Sequence, residues 1–434
     1  MNRVSRPDRK GLLGALVFVF ASLPALQAQE RAQETVEQRL QRLEQQNREL
    51  QRQLDSLGRE VERNQLGGTT PPLAEKRLGE AQGANKVQNA QQGLSIGGYG
   101  EFEFTQVSGG TDTLDAVRAV LYFGYRFDDR WLFNSEIEVE HGGTEANSGT
   151  TDEGGSVSLE FGYLEHELMK DVRVRAGVLL IPMGLVNEDH EPTSFLPANR
   201  SQTETRILPT TWSEPGIELL GEVGGFQWRT ALVAGFNGER FDAEGLREGR
   251  QGGNLAAADD LAIVVRADWA GTEGLLAGGS VYYGKAGQDG LAGTTPIPAL
   301  PTTIVEGHVD WRPDHFVVRA QYATAFEPDA PEFDAALGAG LAGRMVGAYG
   351  EVGYDVMPWL GGDAGSALLP FVRYEHIDTQ RDMPAGVARE GNLDSDVFTI
   401  GVHWRPRSQI AIKVDFENWT DNPDQFHVSV GYVF

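Results

Sequence analysis

Charged side chains recur along this chain at one parity of short alternating segments. The basic ones are Arg118, Arg126, Arg173, Arg175, Arg229, Arg266, Arg319, Arg373, Arg405 and Lys413. The acidic ones at the same parity are Glu136, Glu138, Glu140, Glu160, Glu306 and Glu375, joined by Glu218, Glu351, Asp415 and Glu417. Rings of Arg and Lys around water favour anions and phosphate, whereas rings of Asp and Glu favour cations. The same residues on neighbouring strands also form salt bridges that hold a wall together, and both readings stay open. A separate run, Glu188, Asp189, His190 and Glu191, lies in a long connection and makes a candidate constriction. Its residue types could bind a divalent cation, but a solvated acidic loop is the favoured reading. The eight histidines are scattered, and no HExxH, GxSxG or phosphate-loop pattern occurs. The chain is therefore read as a non-enzyme with no cofactor and no metal.

These residues need elements that put one parity in water and the other in grease. "VRAVLYFGYRF" places Val117, Ala119, Leu121, Phe123, Tyr125 and Phe127 on one face, and Arg118, Tyr122 and Arg126 on the other. "WLFNSEIEVE", "VRVRAGVLL", "FTIGVHWRP" and "IAIKVDFEN" repeat the pattern. So does the last segment, "FHVSVGYVF", which ends on an aromatic with the apolar face intact. Period two over such runs means strands with one wet face. The candidate strands begin near residues 94, 114, 130, 156, 171, 214, 225, 259, 275, 302, 315, 345, 367, 395, 408 and 426. Most odd connections are long: 141–155, 181–212, 238–258, 286–301, 327–344 and 379–394. Most even ones are tight, as in "RPDH" and "RPRS". An even strand count with loops sorted by length marks a transmembrane antiparallel β-barrel of about 16 strands. Trp131, Trp228, Trp269, Trp311 and Trp404 flank short turns, and Trp212 and Trp419 flank long ones, so Trp girdles are expected at both rims. In a closed barrel the last strand pairs with "LSIGGYGEFEF" and leaves no edge. Counted from the short turns, most arginines fall low and most acids fall near the long loops. The expectation is a basic zone at one end and an acidic vestibule at the other.

The 434 residues carry a net charge of -26 and no cysteine. That acidity argues against nucleic acid. The missing cysteine excludes disulfides and thiolate chemistry. Glycine, at 54 residues, is about twice its usual roughly 7% share, which fits an all-β chain. Residues 1–28 read as a signal peptide: Arg3, Arg6, Arg9 and Lys10 precede an apolar run ending near Ala28. An uncleaved anchor is the other reading, though the run is short of the roughly twenty residues a spanning helix needs. Residues 29–66 carry Val36, Leu40, Leu43, Asn47, Leu50, Leu54, Leu57 and Val61 at alternating spacings of four and three. That heptad marks an N-terminal α-helical coiled coil, or else one amphipathic helix, with Asn47 fixing register. Residues 67–93 read as a linker, and 94–434 as the barrel domain.

"RVRAGVLLIPMGLVNEDHEPTSF" and "LPTTWSEPGIELLGEVGGFQWRTALVAGFNG" resemble the central motifs of the phosphate-selective porins O and P and their relatives. The resemblance implies a trimeric sixteen-stranded porin of the bacterial outer membrane whose loops fold into the pore, and passive anion passage along an arginine ladder with a lysine cluster. Arg173, Arg175, Arg229, Arg266 and Arg319 are the candidate ladder members. Lysine is scarce here, and Lys285 and Lys413 are the only ones at candidate pore positions, a departure from the family that bears on phosphate specificity. The functional expectation is a water-filled diffusion porin passing small hydrophilic solutes or ions, anions such as phosphate among them. Its partners would be outer-membrane lipid and two further copies of itself. The alternatives are an outer-membrane anchor whose periplasmic coiled coil meets the cell wall, or a barrel hydrolase.

Overall fold

Alternation over nine or more residues gives each strand one apolar and one polar face, and a sheet built from such strands closes on itself when enough of them pair. The structure, a computed structural model, describes residues 93–144, 154–292, 294–363 and 365–434. The segments expected to be signal peptide and coiled coil, and nearly all of the expected linker, lie outside the described residues.

Sixteen strands form one closed antiparallel barrel. They are β1 Gly93–Val107, β2 Thr113–Arg126, β3 Trp131–Glu140, β4 Val157–Met169, β5 Val172–Leu180, β6 Ser213–Val223, β7 Phe226–Ala234, β8 Leu261–Thr272, β9 Leu275–Lys285, β12 Pro301–Trp311, β13 Phe316–Phe326, β14 Arg344–Tyr354, β15 Ala367–Asp382, β16 Asp394–Arg407, β17 Ile410–Trp419 and β18 Gln425–Val433. The small pair β10 Leu291–Ala292 and β11 Thr295–Pro296 decorates one loop. Every barrel strand begins within two residues of the start expected from alternation. Each pairs with its sequence neighbours, and β18 closes on β1 with Tyr99 opposite Val433 and Phe104 opposite Val428. Phe434 exchanges backbone hydrogen bonds with Gly98, so the end of the final strand is paired.

Connections sort by end. The turns 127–130, 170–171, 224–225, 273–274, 312–315 and 408–409 are short, and only 355–366 is longer. At the other rim lie 141–156, 181–212, 235–260, 286–300, 327–343 and 383–393, with 108–112 and 420–424 the short exceptions. Outward residues such as Ile263, Ile400, Phe416 and Val430 are exposed.

Two expectations fail here. A Trp girdle at the long-loop rim is absent among the described residues. Trp212 is fully buried and stacks on Phe236 at 4.4 Å, and Trp419 is also turned inward. Exposed Trp131, Trp311 and Trp404 lie at the short-turn rim only. The inner wall is also not polar throughout. Ala231, Val233, Ala262, Val264, Tyr282, Ile304, Ala323, Ala325 and Met345 face inward near the long loops and pack against Ile181, Met183, Ile207, Leu208, Trp212, Phe236 and Phe333 of those loops. The loops fold into that half of the barrel and bury their apolar side chains there, so both faces of these strands are apolar, as in any strand covered on two sides.

Closure can be read covalently, because the chain has no cysteine of its own. Phe102 and Val430 are outward-facing partners across the β1–β18 seam. Paired antiparallel positions lie about 4.5–5.5 Å apart, within disulfide range. Phe102→Cys with Val430→Cys should cross-link on oxidation and shift gel mobility. Phe102→Cys with Val414→Cys, about two strand spacings away, should not.

Candidate constriction of the barrel lumen

The segment between β5 and β6 is drawn into the lumen by its own sequence. Its neck is tied by Asn187, whose Nδ2 donates to the carbonyls of Ile181 (2.7 Å) and Trp212 (3.0 Å), while its Oδ1 accepts the Trp212 N–H (2.7 Å). Gly184 turns the chain at φ 73°, and a Cβ there would meet Glu204 Oε2 at 2.9 Å. Glu204 accepts the N–H groups of Leu185 (2.9 Å) and Val186 (3.1 Å). Burial pushes this carboxyl up to about 7, the two N–H groups hold it back, Glu306 adds to the rise and His308 opposes it.

From this neck the segment is fastened to the wall on nearly every side. Arg266 Nη1 donates to the Gly184 carbonyl (2.7 Å), Arg319 Nη2 to that of Ser194 (2.6 Å) and Arg373 Nη1 to that of Asn199 (3.1 Å). Lys413 Nζ donates to the Pro197 carbonyl (2.8 Å) and lies 3.6 Å from the centre of the Phe195 ring. Asp415 Oδ2 accepts the Ala198 N–H (2.6 Å), and Glu375 Oε1 accepts both the N–H and the hydroxyl of Thr203. Charge-assisted bonds of this kind are roughly twice as strong as neutral ones. Where the loop meets the β18 wall there is no room for a side chain: a Cβ on Gly431 would lie 2.3 Å from Pro192 Cβ and 2.5 Å from its Cγ.

The acidic run lies here, but neither as a solvated loop nor as a cluster around a cation. Glu188 pairs with Arg229 and, at 3.8 Å, with Arg266. Asp189 accepts the Ser194 hydroxyl, Glu191 accepts the Tyr122 hydroxyl (3.1 Å), and His190 Nε2 faces Glu136 Oε1 at 3.3 Å. Each acid is committed to a different partner on the wall or within the loop.

The wall charges are brought together as a belt of pairs. Arg118 lies between Glu101 (3.6 Å) and Glu138 (3.5 Å). Arg173 and Arg175 share Glu165, and Arg175 also approaches Glu218. Arg229 binds Glu218 (2.6 Å), Arg266 binds Asp268 (2.7 Å), Arg319 binds Asp310 (2.9 Å) and Glu351 (3.4 Å), and Arg373 binds Glu417 (3.2 Å). Glu306 accepts from Ser280 and faces His308 Nδ1 at 2.9 Å, while Glu140 accepts from Ser156. Arg126 is half-buried beside the 127–130 turn, and Arg405 is buried near the 408–409 turn. The expected split into a basic zone and an acidic vestibule is thus replaced by alternating pairs. A buried charge without a partner is far costlier than a paired one. Lys285 also departs from its expected place: it shares the outward parity of Tyr283 and is exposed.

Several members of the belt were not among the expected residues. Asp268 and His308 lie two residues from Arg266 and Glu306, and Asp310 four from Glu306, all at the same parity, a signal present in "VRADW" and "VEGHVDW". Glu165 was missed for another reason. A bulge at Glu160 leaves that residue buried but shifts parity, so Phe161, Tyr163 and Glu165 face inward after it.

Two of the spaces beside the loop bear on its position. One of about 230 Å³ lies toward the long loops and is lined by Glu101, Glu103, Arg118, Asn199, Arg200 and Glu417 among others. One of about 20 Å³ lies toward the short turns and is lined by Arg312, Arg319, His403 and Arg405. Both ring nitrogens of His403 lack a hydrogen-bond partner. Phe195 lines both spaces, so the strip 193–199 separates them.

A closed sixteen-stranded antiparallel barrel with a long loop folded into its lumen is the fold of outer-membrane porins. Among solved structures it is similar to OmpF of Salmonella typhi, solved in complex with daunomycin (TM-score 0.52, 13% identity, covering 79% of this chain and 98% of that one). It is also similar to the outer membrane channel DcaP of Acinetobacter baumannii (TM-score 0.51, 14% identity, 79% and 97%). No family model matches the sequence. An uncharacterized protein of Aquifex aeolicus (strain VF5) is 32% identical over 370 residues, which span 81% of this chain and 82% of that protein. The chain belongs to the same family as that protein.

If the loop is seated against Gly431 as described, Gly431→Ala should lower unfolding stability in detergent by about 1–3 kcal/mol, the usual range for overpacking. Gly350→Ala, whose added Cβ meets nothing nearer than 3.9 Å, should stay within about 0.5 kcal/mol. Denaturant titration of both variants checks the difference.

Proposed function

We propose that the protein is a diffusion channel of the bacterial outer membrane, passing small hydrophilic solutes through a lumen narrowed by the strip 193–199. The observation that carries this reading is the pair of lined spaces meeting at Phe195. Solutes entering among the long loops meet the mixed charges of Glu101, Glu103, Arg118 and Arg200. They leave past Arg312, Arg319, His403 and Arg405. Phe195, held under Lys413, is the gate between them. A preference for small anions, phosphate among them, rests on the resemblance to phosphate-selective porins, since Arg312 and Arg319 at the exit are paired with Asp310 and Glu351. Charged walls that are mostly paired favour hydration of a path over catalysis, and the reading is of a channel without enzymatic activity or cofactor. We further propose a homotrimer, with the heptad segment in the periplasm as a coiled coil.

A second reading is favoured by one observation. The apolar packing of loops inside the barrel fills much of the lumen, as suits an anchor whose coiled coil tethers the envelope.

Planar-bilayer recording of the purified protein separates the two. The channel reading expects discrete conductance steps with anion preference in a salt gradient. It also expects Phe195→Ala to raise the step size about twofold or more by widening the narrow point. Absence of steps in both wild type and Phe195→Ala would leave the anchor.

A further inference from the structure

At the barrel seam, Asp415 and Glu417 stand two residues apart on the inward face of β17, and His427 lies directly opposite Asp415 on β18. A ligand atom from each comes within 4.8 Å of the others, and all three residues are buried. The imidazole is oriented from behind: Glu103 Oε1 on β1 engages its Nδ1 at 2.9 Å, so Nε2 is turned toward Glu417 Oε2, 4.0 Å away. A carboxylate fixing one ring nitrogen while the other is presented is the arrangement that supports a metal-bound histidine. Asp415 uses Oδ2 to hold the Ala198 N–H. Its Oδ1 has no hydrogen-bond partner although the residue is only 2% exposed, which is costly for a buried carboxylate unless something supplies the missing partner.

Glu101, Glu103, Asp415 and Glu417 are grouped here with Arg118, Arg200, Arg373 and Lys413. Of these cations, Lys413 is engaged by the Pro197 carbonyl and the Phe195 ring, and Arg373 by Glu417 Oε1 and the Asn199 carbonyl. The 230 Å³ space, lined by Glu103 and Glu417, gives an ion a route in.

We propose that Asp415, Glu417 and His427 bind a first-row divalent metal ion of the Zn²⁺ or Mn²⁺ type at the mouth of the constriction. One imidazole with two carboxylates suits such ions, whereas Ca²⁺ and Mg²⁺ prefer oxygen alone. Three protein ligands leave a coordination position for water. Asn199 Nδ2 approaches both ring nitrogens, at 3.3 and 3.4 Å, and is the group that yields when the ion arrives. Because Asp415 also holds Ala198, the ion fixes the strip 193–199 against the seam and makes the narrow point responsive to metal.

The test is calorimetric titration of Zn²⁺ into the untagged, chelator-stripped barrel in detergent, with recordings of the same protein in metal-free buffer. The expected result is saturable binding near one ion per chain. Asp415→Asn and His427→Ala should weaken it at least tenfold, and Glu103→Gln about tenfold, the usual range for an orienting partner. His141→Ala, which removes an exposed histidine paired with Asp115, should leave it unchanged. Glu417→Gln should give the same loss and serves where His427→Ala fails to form a heat-modifiable barrel. Binding that is absent, or unaffected by Asp415→Asn and Glu417→Gln, overturns the site, and His427 then serves only to bridge Glu103 and Glu417. Conductance steps in metal-free buffer would then still stand for the channel reading, so the two ideas fail separately.

Discussion

The barrel exists because a strand leaves unpaired N–H and C=O groups along its edge, and only closure removes that edge completely. In hydrocarbon each orphan group would cost several kcal/mol. Sixteen strands joined only to their neighbours, with β18 sealed against β1, satisfy this requirement. Everything inside follows from it. Closure with apolar residues outward commits the other parity to a confined interior, where charges survive only if paired or hydrated. The belt from Arg118 through Arg373, each guanidinium on a neighbouring carboxylate, is the consequence.

The interior is then divided by the loop between β5 and β6. Near the long loops, on the side of β7 to β14, the space is apolar and filled: Trp212, Phe236 and Tyr282 pack into a cluster that anchors the loop bases. Toward the short turns it is charged and holds the loop by its backbone carbonyls. Three arginines and one lysine reach four carbonyls along 184–199. A loop held by its backbone presents side chains to the remaining space, and Phe195 is the one that lies between the two cavities. That geometry gives the wall charges a structural role: they hold the strip 193–199 between the two spaces.

Much of the fold was legible because lipid-type alternation is a strong pattern. Strands such as β3, β16 and β17 read cleanly, one face apolar and the other charged, and their starts were found to within two residues. The filled half of the lumen was less legible. In "TALVA" and "LAIVV" both parities are apolar, so the inward face looks like more of the outward one, and only a partner inside the barrel explains it. Trp212 was misplaced for the same reason: its position near a rim suited a girdle, while its environment is a core. A single bulged residue, Glu160, hid Glu165 by reversing parity downstream. Sequence spacing also cannot say which carboxylate meets which arginine across three strands, so a basic zone was expected where pairs are found. Similarity to OmpF and DcaP speaks to the barrel alone, while identity to the Aquifex protein covers most of both chains.

The claim beneath all of this is that the outward parity faces hydrocarbon. Ile400, at the middle of β16 and 51% exposed, tests it most directly. The measurement is the unfolding free energy of Ile400→Arg against the native chain, folded into phospholipid vesicles. A hydrocarbon-facing position predicts a loss of about 2–4 kcal/mol for arginine near the midplane. A change below about 0.5 kcal/mol, as at an ordinary water-exposed position, would contradict it.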